Sequence, residues 1–380
     1  MDKMKDLAYY NGKITAIDDM MIPANDRGFY FGDGIYEAAM VFDHKIFALQ
    51  DHLDRMFNSA AMLRIELPYT KEEVGALLTD LVQKLESSCQ FLYWQVTRGT
   101  SPRNHLFPGE GVSSNLYVYS KPWNGVQMSD EYRLISIPDT RFYHCNIKTL
   151  NLIPNVMAAQ QASEAGCNET VFVRDGFVTE CSHSNISMVK DGVFITHPLD
   201  NLILPGTERK HIIRYCGELG IPVEERAFTL EELYTADEIL VTSTSHPSMR
   251  AMELNKRAVG MKNPELIQKL RDKYLSEQGG IARSGDTYAN VPESSKSYWF
   301  NIDNMDYNRK ETVVRPILEV NVKIADWVRF KGEGNMNYVY IREENKELGT
   351  GVAYEGGNYK LAQQTKEQTT FAGTFTFDKA

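Results

Sequence analysis

Lys148 stands in Cys145-Asn146-Ile147-Lys148-Thr149-Leu150-Asn151-Leu152, an alternating apolar stretch that predicts a strand over 146–150. Two readings of it stand. On an open sheet face, a lysine lays its stem along apolar surface and keeps its ammonium in water. In a dry cleft it sheds its proton and becomes a nucleophile toward an aldehyde. Glu180 ends Val178-Thr179-Glu180, just before the polar turn Cys181-Ser182-His183-Ser184-Asn185. Alone it is a strand-end carboxylate. Beside a pyridine nitrogen, such a carboxylate would keep that nitrogen protonated and the ring electron-withdrawing.

Two further segments suit an anion. Leu204-Pro205-Gly206-Thr207 leads directly into an expected helix, so free N–H groups and the positive end of the helix dipole are available. Ser243-Thr244-Ser245 follows an expected strand over 238–242 and offers hydroxyls and turn amides. Arg55 falls on the helix face opposite an apolar stripe; it is either solvated or turned inward as a phosphate clamp. In Thr97-Arg98-Gly99-Thr100-Ser101-Pro102-Arg103-Asn104-His105, Arg103 and His105 are two apart in an extended loop. They face the same side, which makes either a carboxylate grip or a basic surface loop.

The elements that must position these groups read as follows. Residues 8–16 and 35–49 predict short strands turning at Asn11-Gly12 and Asp43-His44. Leu49, Leu53, Met56, Phe57, Ala60 and Leu63 form one helical stripe; Val74, Leu77, Leu78, Leu81 and Leu85 form a second. Strands follow at 91–97 and 115–120, and Lys121-Pro122-Trp123-Asn124-Gly125 is a candidate linker. Beyond it come strands near 132–138, 169–174, 185–190 and 193–196. Helices are expected over 155–165 and 207–219, and Thr229-Leu230-Glu231-Glu232 is a capping box. Such mixing fits an α+β, barrel-like domain better than a regularly alternating α/β fold.

Asn263-Pro264 opens a helix with a partial face of Leu266, Leu270 and Leu275, and Gly279-Gly280 is read as its end and as a domain boundary. All five cysteines and all eight histidines precede that pair. Residues 279–380 carry 13 basic and 14 acidic side chains, so nearly all the net charge of −10 lies upstream. The tail, with 14 aromatics after residue 279 and alternating stretches at 319–324, 338–342 and 370–377, predicts a small β-rich domain of unassigned role. The expected domains are therefore 1–121, 125–278 and 280–380.

At 380 residues with 42% hydrophobic and 24% charged side chains, the chain is an ordinary globular protein with a sizeable core. Its acidic balance and lack of basic blocks argue against nucleic acid as a partner. No long apolar run argues for a membrane span, and the polar start has no secretory signature. Five scattered cysteines without a CxxC pair read as reduced thiols in the cytoplasm and argue against structural zinc.

Taken in order, these segments resemble the class IV aminotransferases, pyridoxal-phosphate enzymes of fold type IV, and within them most closely the D-amino acid (D-alanine) aminotransferases. The resemblance spans residues 8 to about 277. It rests on Asp26-Arg27-Gly28, Phe31-Gly32-Asp33-Gly34-Ile35-Tyr36-Glu37, His52-Leu53-Asp54-Arg55 and the 95–105 segment. It continues through Ile147–Leu152, Thr179-Glu180, Ser184-Asn185, Ile203–Gly206 and Val241–Thr244.

The resemblance implies a small α/β N-terminal domain, a larger barrel-like α+β domain and a homodimer with its active site at the subunit interface. Lys148 would hold pyridoxal 5′-phosphate and move the substrate proton, and Glu180 would face the pyridine nitrogen. Arg55, Gly206, Thr207, Ser243 and Thr244 would hold the phosphate, and Leu204 would pack on the ring. Tyr36, with Arg103 and His105 from the partner subunit, would bind the substrate carboxylate. The implied reaction exchanges amino groups between D-amino acids (D-alanine, D-glutamate) and 2-oxo acids (2-oxoglutarate, pyruvate). Related alternatives are a branched-chain L-amino acid aminotransferase, an (R)-amine transaminase or an aminodeoxychorismate lyase; a binding role centred on the tail is a third. The sequence departs from the family pattern at three positions. Glu208 replaces a small or hydroxyl residue and is expected to turn away from the phosphate. Cys181 and His183 stand where small residues are usual, and His183 is a candidate supporting or substrate contact.

Overall fold

Alternating apolar residues build the first layer: β1 (Leu7–Tyr10), β2 (Lys13–Thr15), β3 (Gly34–Phe42), β4 (Lys45–Ile46), β5 (Gln90–Thr97) and β6 (Asn115–Pro122). They form an antiparallel sheet in the order β2-β1-β6-β5-β3-β4. Asn11-Gly12 and Asp43-His44 all take positive φ, the conformation that two-residue hairpins need to match strand twist. Helices α1 (Arg27–Phe31), α2 (Leu49–Met62) and α3 (Lys71–Gln83) accompany this sheet. Leu53, Met56, Val74, Leu78 and Leu81 seal the two long helices over a fully buried Trp94. The computed structural model describes residues 3–123, 128–283, 305–314, 317–325, 327–347 and 358–377; of the expected linker, Asn124 and Gly125 lie outside them.

The second layer contains β7 (Met128–Pro138), α4 (Ile153–Glu164), β8 (Glu169–Arg174), β9 (Phe177–Cys181), β10 (Asn185–Lys190), β11 (Val193–Thr196) and α5 (Thr207–Glu218). It continues with β12 (Val223–Glu225), α6 (Leu230–Thr235), β13 (Glu238–Ser243), β14 (His246–Leu254), β15 (Arg257–Ala258) and α7 (Pro264–Arg283). The strands run in the order β12-β11-β10-β13-β14-β7-β8-β9, with β15 on β14. Only Ser182, His183 and Ser184 separate β9 from β10, and Cys181 N donates to Ser184 O at 2.8 Å. The last strand of the path thus turns back onto the third, which curls the sheet into a barrel-like form. The architecture is α+β.

Two local expectations give way. Residues 146–150 are not a strand; they form a turn-rich crossing segment with a single bridge, Thr149 to Ile35. The alternation of Ile147, Thr149 and Leu150 arises because this segment is squeezed between α2 and β3. The last helix runs through Gly279-Gly280 to Arg283, and the chain divides into compact units at Ala282/Arg283. Its apolar face is Leu266, Ile267, Leu270 and Tyr274, whereas Leu275 is exposed. That face packs with Phe47, Phe194, Ile212 and Tyr215 in a cluster shared by both layers.

The second unit, residues 283–380, holds β16 (Met305–Val314), β17 (Ile317–Ala325), β18 (Val328–Glu347) and β19 (Asn358–Phe377). The four form one antiparallel sheet in which β18 pairs with all the others.

Candidate active site

Helix α2 carries a second, polar stripe: His52, Arg55 and Ser59 are all buried. Arg55 Nε and Nη2 each donate to a Glu37 oxygen at 2.7 Å, and Nη1 donates to Pro205 O at 3.0 Å. Of the two readings of Arg55, the inward one stands. Glu37, on β3, is 0% exposed. Burial alone would raise its pKa, but the Arg55 guanidinium and then His52 hold it down to about 2. Ser59 Oγ accepts from Lys148 N at 3.3 Å, and Lys148 O accepts from Tyr36 N at 2.9 Å. Lys148 is therefore clamped between α2 and β3, with its Nζ 4.2 Å from the Tyr36 ring centroid.

Glu180 sits near the end of β9. Its Oε2 accepts from Leu204 N at 2.9 Å and from Asn185 Nδ2 at 3.0 Å, while Oε1 accepts from Arg141. Asp139 and the Leu202 carbonyl fix Arg141 in turn. Burial pushes the Glu180 carboxyl upward and Arg141 pulls it back.

The phosphate-type features lie at the start of α5 and the end of β13. Gly206 caps α5, and a Cβ there would lie 2.0 Å from Asn185 Oδ1, so only glycine fits the close approach. Thr242 Oγ1 and Ser243 Oγ are buried with no partner among the described residues. Thr244 begins the two-residue turn into β14. Main-chain amides, hydroxyls and a guanidinium make a donor set suited to a phosphate.

One cavity of about 240 Å³ joins these groups: Tyr36, Arg55, Lys148, Glu180, Leu204, Gly206, Thr207, Ser243 and Thr244 all line it. Arg103 and His105 do not. They sit on an exposed loop, each against the Phe31 ring, at 5.1 Å from its centroid. Glu208 is 2% exposed and belongs to the lining, and neither carboxyl oxygen has a partner among the described residues. Burial, then Glu277, drive its pKa up to about 8. Cys181 and His183 also line the cavity.

Sequence reasoning missed several supports. Glu37 is visible in the sequence only as a motif letter, and Arg141, Ser59 and Glu169 carry no signal there, because their partners are 13 to 89 positions away. Among the described residues no cluster of His, Cys, Asp or Glu could hold a metal, and no helix is long and apolar enough to cross a membrane.

Residues 34–254 match the family described as amino-transferase class IV. The chain is 42% identical over 240 residues to a D-alanine aminotransferase of Listeria monocytogenes serotype 4b (strain F2365), covering 62% of this chain and 83% of that protein. It is 34% identical over 275 residues to a D-alanine aminotransferase of Bacillus licheniformis, covering 70% and 97%. A branched-chain aminotransferase of the thermophilic archaeon Thermoproteus uzoniensis, solved with norvaline, shares the fold at a TM-score of 0.66 and 24% identity, over 72% of this chain and 95% of that one. The segment lined by Tyr36, Lys148 and Glu180 falls wholly inside the matched family region, and the chain is a member of the class IV aminotransferases.

Proposed function

We propose that this protein uses pyridoxal 5′-phosphate to transfer amino groups between D-amino acids and 2-oxo acids, with D-alanine and D-glutamate exchanging against 2-oxoglutarate and pyruvate. The observation that carries this reading is the single cavity shared by the Lys148 amine, the Glu180 carboxylate and the donor set at Gly206-Thr207 and Ser243-Thr244. The identity to curated D-alanine aminotransferases supports the choice of substrate class.

Arg55, the amides at Gly206-Thr207, and Ser243 with Thr244 would hold the phosphate. Leu204 would pack on the ring, and Glu180, kept in place by Arg141 and Asn185, would face the ring nitrogen. When bound, the cofactor supplies an electron sink for the pair left behind as the amino acid loses its Cα proton. Lys148 takes that proton and returns it, and its clamped backbone fixes the face from which it acts. Tyr36 contributes to gripping the substrate carboxylate. Arg103 and His105 reach the same carboxylate from a second copy of the chain, so the working form is a homodimer built from the 1–121 and 125–278 segments. The scattered cysteines support a cytoplasmic setting.

The test is a panel of D- and L-amino acids with 2-oxoglutarate, read with the cofactor absorbance. Transfer from D-alanine, lost together with the absorbance band in Lys148→Ala, is the expected result. An active Lys148→Ala enzyme, or turnover confined to branched-chain L-amino acids, discards the reading.

A further inference from the structure

His183 is a cavity residue that the transfer chemistry above does not use. It stands at the centre of the three-residue link between β9 and β10, and its side chain is 52% exposed. Its Nδ1 lies 2.8 Å from Glu169 Oε2 and 3.0 Å from Ser182 Oγ. Glu169 is itself 0% exposed and is fixed by Thr170 N at 2.8 Å, Ser182 N at 3.2 Å, the Ser182 hydroxyl and Ser184 Oγ at 3.2 Å. A buried, firmly held carboxylate accepts from Nδ1–H; Nε2 is then an acceptor in the neutral ring and a donor in the imidazolium that the carboxylate favours. No hydrogen bond from the described residues engages Nε2. Burial alone would lower the imidazole pKa, and the ion pair with Glu169 more than offsets it.

The other charged or titratable groups near this ring are Lys148, which opposes a second positive charge, and His246, whose own pKa burial lowers. The ion pair with Glu169 shifts this imidazole toward its cationic form, in which it is no base, and Lys148 is the group assigned to the proton. A cation also gains nothing from an apolar substrate side chain; it gains from an anion. The phosphate and the α-carboxylate have other partners in the reading above, which leaves one carboxylate unassigned in the larger substrates.

We propose that His183 binds the distal carboxylate of dicarboxylic substrates, so that it sets the preference for five-carbon diacids over short monoacids. This rests on the aminotransferase reading and adds a substrate-selecting residue to it.

The test titrates the holoenzyme with glutarate and with butyrate, following the cofactor absorbance, and compares kcat/KM for 2-oxoglutarate and pyruvate as acceptors. The wild type is expected to bind glutarate about tenfold or more tightly than butyrate. In His183→Gln that ratio, and the ratio of the two kcat/KM values, falls about tenfold; His183→Lys restores part of both. Raising the pH past the imidazole's titration erodes the wild-type ratio and leaves that of His183→Gln flat. Equal loss for both acids in His183→Gln, or no glutarate preference in the wild type, overturns the proposal. A His183-dependent glutarate preference in a holoenzyme that fails to use D-alanine would sink the proposed reaction and leave this contact standing.

Discussion

Glu37 and Arg55 meet through two parallel hydrogen bonds of 2.7 Å, with both side chains buried. The pair ties β3, which carries Tyr36, to α2, which carries Ser59. Arg55 also reaches Pro205 O, one residue before the cap of α5. A single ion pair thus sets the spacing between the lysine side of the cavity and its anion-binding side.

Removing one partner leaves the other charge buried and alone. Glu37→Ala should cost about 3–5 kcal/mol, read as a lower denaturant midpoint. The sign with pH follows from the depressed carboxyl. Its stabilisation is complete above the ordinary value of 4.5 and is lost as pH falls through about 2. Urea melts of the wild type should therefore weaken across that window, and those of Glu37→Gln should weaken less, because other carboxylates held low by their partners, Asp51, Asp139 and Glu169, are common to both.

Arg141 is the cation that opposes the upward push of burial on Glu180. Arg141→Gln should raise the Glu180 carboxyl further and deplete the ionised form the ring nitrogen requires. Transamination should drop near neutrality and recover as pH rises. A pH–rate profile parallel to the wild type's would discard this account of Arg141.

Glu208 titrates the other way. Held up to about 8, it is neutral in the folded protein at pH values where the unfolded chain is ionised. A raised acid destabilises progressively from about pH 4.5 to 8, by up to a few kcal/mol. Glu208→Gln should thus be more stable than the wild type at pH 8 and nearly equal to it at pH 4.5, as measured by thermal melts.

The exposed pair against Phe31 is tested by substrate kinetics. Arg103→Ala should raise the KM for D-alanine about tenfold to a hundredfold, the loss of one charge-assisted carboxylate contact. An unchanged KM removes Arg103 from the carboxylate grip.

Most elements were legible because their signals are local. The capping box at Thr229 and Glu232 forms as written, and both positive-φ hairpins fall at their turn residues. The cavity residues named from sequence cluster because motif order carries their spacing. What stayed hidden is non-local or ambiguous. Lys148 has strand-like alternation but is held by contacts to Ser59 and Tyr36, both far away in the chain. Arg55 reads either way, solvated or inward, because a helical stripe records apolar neighbours and says nothing of a buried glutamate opposite. Gly279-Gly280 reads as a stop, yet glycine only weakens a helix, and α7 continues to Arg283.

The Ser182-His183-Ser184 link has a bearing on how such an enzyme can diversify. Its two flanks carry Glu180 and Asn185, which are bonded to each other. An insertion there would drag the ring's counter-charge out of register, so the expected changes at this seam exchange side chains at constant length. Lineages of this scaffold should accordingly show fixed spacing across the seam.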